Sequence, residues 1–87
     1  MDFIKGRLVR SKAGRDKTRT FSVLAVDGQM LLLVNGSSRP IANPKRKKMR
    51  HVAPTAAVLR QEDLASDEAL SKAIAAFETQ TRSEGGG

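Results

Sequence analysis

Apolar residues in the first half of this 87-residue chain come in short bursts separated by turn residues. "FSVLAV" (21–26) and "MLLLV" (30–34) are five- and six-residue stretches between glycine-bearing turns, too short for helices, so they predict strands. Asp27-Gly28 between them is a hairpin signal, because both central residues of a two-residue type I′ turn need positive φ. Asn35-Gly36 marks a second turn. "IKGRLVR" (4–10) supplies an earlier strand around Leu8 and Val9, and a further short strand is predicted around Met49 to Val52, closed by Pro54. Pro40 and Pro44 cannot donate to a ladder, which favours an extended loop or an edge there. Four or five short strands with turn signals every ten residues or so predict a mainly β domain, a small barrel or sandwich, over residues 1–55.

After Pro54 the period changes. In "SDEALSKAIAAFETQ" (66–80), Leu70, Ala73, Ile74 and Phe77 fall at i, i+3, i+4 and i+7, which predicts one amphipathic helix over 66–82. Ser66 is its expected N-cap, with Asp67 and Glu68 in the first turn where the helix dipole favours negative charge. Residues 56–65 then read as a linker, and 83–87, ending in three glycines, as a flexible tail. A helix of this length is marginal alone, so its stripe must pack on the barrel or on a partner. Leu70, Ile74 and Phe77 are the candidate partner-binding face.

Charge sharpens this picture. The net charge is +7, but residues 1–60 hold 14 Lys/Arg against three acids, +11, while residues 61–87 hold two against six, −4. A basic domain of this size is a footprint for a polyanion, since each Lys or Arg laid on a phosphate releases condensed counterions. An anionic membrane surface usually calls for a basic amphipathic helix, and the basic half here is not helical. Two clusters carry the charge. One is Lys12, Arg15, Lys17 and Arg19 on the connector after the first strand, with Arg7 and Arg10 before it and Gly14 allowing close backbone approach to a phosphate. The other is Lys45, Arg46, Lys47 and Lys48 with Arg50 and His51, which Arg39 can join. Against these stands the plain alternative that both are solvated surface.

Composition narrows the partner. There is no Tyr or Trp, and Phe3 and Phe21 sit where core residues belong, which disfavours base stacking on single strands and methyl-lysine cages. No CxxC, HExxH, Walker or GxGxxG motif is present, and His51 has no nucleophile arranged with it, so no catalysis, cofactor, metal or small-molecule substrate is expected. The absence of cysteine fits a reducing compartment. With no signal-peptide pattern and no apolar run long enough to span a bilayer, the chain reads as a cytoplasmic protein. Folded RNA, recognised by phosphate, sugar and shape, is the expected partner, with double-stranded DNA as the alternative.

"GRLV" (6–9), "SKAGRDK" (11–17) and "PKRKK" (44–48) together resemble the KOW-motif proteins, small SH3-like barrels of the translation machinery. More closely, the chain is similar over residues 3–54 to short bacterial KOW-domain RNA-binding proteins related to the eL-fourteen type of large-subunit ribosomal protein. The resemblance implies an SH3-like barrel that binds ribosomal or other structured RNA through the loop after the first strand, beside ribosomal proteins as possible neighbours. Lys12, Arg15, Lys17, Arg19 and Lys45 to Lys48 would then make contact. Thr18 stands where the motif usually has a glycine before the second strand, which implies a less tightly turned loop. The rival expectations are a KOW-type protein-interaction module working through the helix and a nucleoid-type DNA binder.

Overall fold

The computed structural model describes residues 2–12, 14 and 19–85. Five strands, β1 (Arg7–Ser11), β2 (Thr20–Asp27), β3 (Met30–Val34), β4 (Lys45–Lys48) and β5 (Val52–Val58), precede the helix α1 (Asp67–Gly85). They form one antiparallel sheet in the order β4-β3-β2-β1-β5, with a 3-10 turn at Met49–His51 joining its two outer strands. This is the expected mainly β, small barrel-like domain followed by one helix.

Two register shifts help so small a sheet to curl. One lies between Val23 and Ala25 in the β2–β3 ladder, the other between Arg7 and Val9 in the β1–β5 ladder; such irregularities bend a strand and raise its twist. The curl brings the far edge home. Lys47 Nζ on β4 donates to Ser11 Oγ on β1 at 2.7 Å, and Lys12 N–H donates to the His51 carbonyl at 2.8 Å.

Successive residues of a strand point to opposite faces, and here both faces are covered. Val9, Phe21, Val23, Leu31, Leu33 and Val52 fill the barrel, with Phe3 and Met49 packed against them. Leu8 and Val34 face the other way and are buried by Leu70 and Ile74 of α1, with Leu24, Ile41 and Phe77 alongside. The helix face expected to meet a partner is therefore engaged by the barrel of its own chain. Leu70 is fully buried and Phe77 partly so.

Several local expectations shift. The hairpin pairs Asp27 with Met30, so its two turn residues are Gly28 and Gln29, and only Gly28, at φ +61°, matches the expected pair. Lys45–Lys48 is itself a strand, and Met49–His51, where a strand was expected, turns. The reason is β3, whose open edge the lysine backbone completes, pairing Leu33 with Lys45 and Leu31 with Lys47. Pro54 does not close a strand but sits within β5, opposite Val9; β5 is an outer strand, where a missing N–H is tolerated. Beyond it, a 3-10 turn at Gln61–Leu64 occupies the expected linker, tied by Arg60 N–H to Asp63 Oδ2 at 3.1 Å. Ser66 Oγ accepts the Ala69 N–H at 3.1 Å, as expected of the N-cap. The helix then runs to Gly85, past the predicted end at 82.

Candidate nucleic-acid interface

A run of four basic residues in a strand cannot present one face. Pairing with β3 puts Lys45 and Lys47 on the side of the buried Leu33 and Leu31, and Arg46 and Lys48 on the side of Leu32 and Met30. Lys45 and Lys47 are accordingly half-buried, whereas Arg46 and Lys48 are exposed. Arg46 reaches Asp27 at 3.4 Å in an exposed ion pair, an interaction worth little in water.

The inner pair makes the link to the connector. Lys47 is held by Ser11, itself buried, and a Cβ on Gly14 would lie 3.9 Å from Lys47 Nζ, so the backbone at Gly14 passes close to that ammonium. Desolvation, and then the charge of Lys47, lowers the pKa of Lys45 below its ordinary value. Lys12, exposed, is carried to the same end of the barrel by its bond to His51, beside exposed Arg50. The two basic clusters, thirty residues apart in sequence, thus converge through Lys12, Gly14, Lys45, Lys47 and His51.

Other expected contacts stand elsewhere. The Arg7 guanidinium donates to the carbonyls of Asp2 at 2.9 Å and Thr55 at 3.2 Å, bracing the segment before β1 against β5. Arg10 lies on the Leu8 side of β1, opposite Thr20. Arg39 ends a tight turn in which Asn35 Oδ1 accepts the N–H groups of Ser37 and Arg39. Arg19 is exposed, and its carbonyl accepts the Ser11 N–H at 3.1 Å. Arg15, Lys17 and Thr18 lie outside the described residues. Ser11 is the contributor that sequence reasoning missed; a lone hydroxyl at the end of an apolar strand is a faint signal, and only the curl of the sheet brings it to Lys47.

Among the described residues no helix is long and apolar enough to cross a membrane. No family model and no curated protein matches the sequence.

Proposed function

We propose that this protein is a non-catalytic binder of structured RNA, working in the cytoplasm on ribosomal or other translation-associated RNA and gripping its phosphates at the convergent basic end. The observation that carries this reading is the convergence itself, Lys47 against Ser11 and Lys12 against His51. Cations held together on one scaffold repel one another; at Lys45, burial first and then the charge of Lys47 disfavour the protonated amine. A phosphate laid between them offsets that repulsion and releases its own counterions. The resemblance to KOW-type barrels points the same way, and the burial of Leu70 and Ile74 takes from the helix the face a protein-docking role would use.

Binding of a structured ribosomal RNA fragment and of a length-matched DNA duplex, each titrated over salt by fluorescence anisotropy, tests this. RNA binds more tightly, and Lys12→Gln weakens it and reduces the slope of log K against log salt by about 1, as expected for one lost phosphate contact. Lys72→Gln, on the exposed side of α1 beside Glu68, leaves both unchanged. Equal or tighter binding of duplex DNA transfers the reading to the nucleoid type; no binding of either at physiological salt removes it.

A further inference from the structure

A cleft of about 570 Å³ opens between α1 and the barrel, within the range of small-ligand sites. Thr20 of β2 forms its floor, Ser37 and Ser38 one side, Ala75 and Glu78 of α1 another, and exposed Arg19 stands at its rim. Thr20 is only 4% exposed, yet its Oγ1 makes no hydrogen bond. A buried hydroxyl without a partner is costly to keep, and this one borders a polar space.

The walls are pre-formed. Asn35 Oδ1 holds the Ser37 N–H at 3.0 Å, and Asn35 Nδ2 donates to Ser38 Oγ at 3.0 Å. Ser38 thus accepts from Asn35 and keeps its own proton to donate. Among the described residues that line it, the chemistry offered is a guanidinium, several hydroxyls and one carboxylate, with no aromatic ring. That set suits a sugar phosphate and not a stacked base: guanidinium for phosphate, and a carboxylate to accept from a ribose hydroxyl, as acidic residues do in dinucleotide sites. Position supports it as well. The carbonyl of Arg19 is bonded to Ser11, the residue that holds Lys47, so the rim of the cleft adjoins the basic end.

We propose that this cleft is a ribonucleotide subsite, taking a 5′ phosphate on Arg19 and the ribose on Glu78 and the hydroxyls of Thr20 and Ser38. As a subsite for one nucleotide of bound RNA it rests on the RNA-binding reading. The 2′-hydroxyl is what distinguishes RNA from DNA at such a place.

The test is an amide-resolved NMR titration of the full chain with adenosine 5′-monophosphate and with its 2′-deoxy analogue, followed by binding of the structured RNA. The ribonucleotide shifts the amides of Ser37, Ser38 and Glu78, and the deoxy analogue binds there roughly tenfold more weakly, the scale of one hydrogen bond to a charged group. Ala75→Leu, which fills the cleft from an exposed helix position, abolishes those shifts and weakens RNA binding, whereas Ala76→Leu on the exposed helix surface does neither. Thr20→Val lowers nucleotide binding without lowering the melting temperature. Equal response to both nucleotides, or no response at the cleft while RNA still binds at the basic end, overturns the subsite and leaves the RNA reading standing. Cleft shifts without any RNA binding overturn the RNA reading instead and assign the cleft to a free ribonucleotide.

Discussion

Gly36 sits at φ +79° with the first turn of α1 pressed against it: a Cβ there would run into the Asp67 carbonyl oxygen and come within 2.9 Å of the Ser71 nitrogen. Next to it, Asp67 Oδ1 accepts the Ile41 N–H at 2.7 Å, so the β3–β4 connection and the helix start are fastened at two adjacent points. Gly36→Ala should lower stability by about 1–3 kcal/mol from the backbone alone, with the collision added. Gly28, also at positive φ but with nothing within 4 Å of its Cβ position, should accept Asn with little change in melting temperature, since Asn tolerates the left-handed region. Equal losses at the two sites would show that the helix contact does not matter. Lys45 makes a second residue-level case. Its folded pKa lies below the ordinary 10.5, so in the interval between the two the unfolded chain binds more protons and stability rises with pH. The cost of holding the charge is full below the folded pKa and gone above 10.5. Lys45→Met should therefore gain in melting temperature over the parent near neutrality, and lose that gain as the pH climbs past 10.5; a difference independent of pH would place its origin in packing.

At the level of elements, the strands were legible where apolar period and turn chemistry agreed, as in β2 and β3, whose expected bounds fall within a residue of those observed. β4 was not, because nothing in four consecutive cations announces a strand; the decision belongs to β3, which needs a partner on its open edge, and lysine is well suited to an outer strand since it discourages pairing with foreign edges. That same pairing divides the basic run between two faces, which no count of charge along the sequence conveys. The helix was legible in its stripe and its Ser66 cap, but the sequence could not say what the stripe covers. Leu70 fixes that answer energetically. Fully buried between α1 and the sheet, its truncation to Ala should cost about 2–5 kcal/mol, read as a lower midpoint in urea, and a loss below about 1 kcal/mol would mean the helix contributes little to the fold.

For the molecule as a whole, the arrangement segregates charge: the +11 half forms the barrel and its loops, and the −4 half supplies the helix layer. The division of charge after residue 60 is visible in composition alone, whereas the convergence of the two basic clusters depends on contacts between residues more than thirty positions apart and could not be read from either segment. The order of strands has a last consequence, for the chain as it is made. β1 lies between β2 and β5, so the first strand to leave a ribosome waits for one of its two neighbours until Val58 has been added, and Leu8 waits longer still, for Leu70 and Ile74. Synthesis proceeds at about 5–20 residues per second, so for several seconds the nascent protein carries its lysine- and arginine-rich half with the sheet incomplete in a crowd of polyanions, before the acidic segment that completes its outer layer has been made.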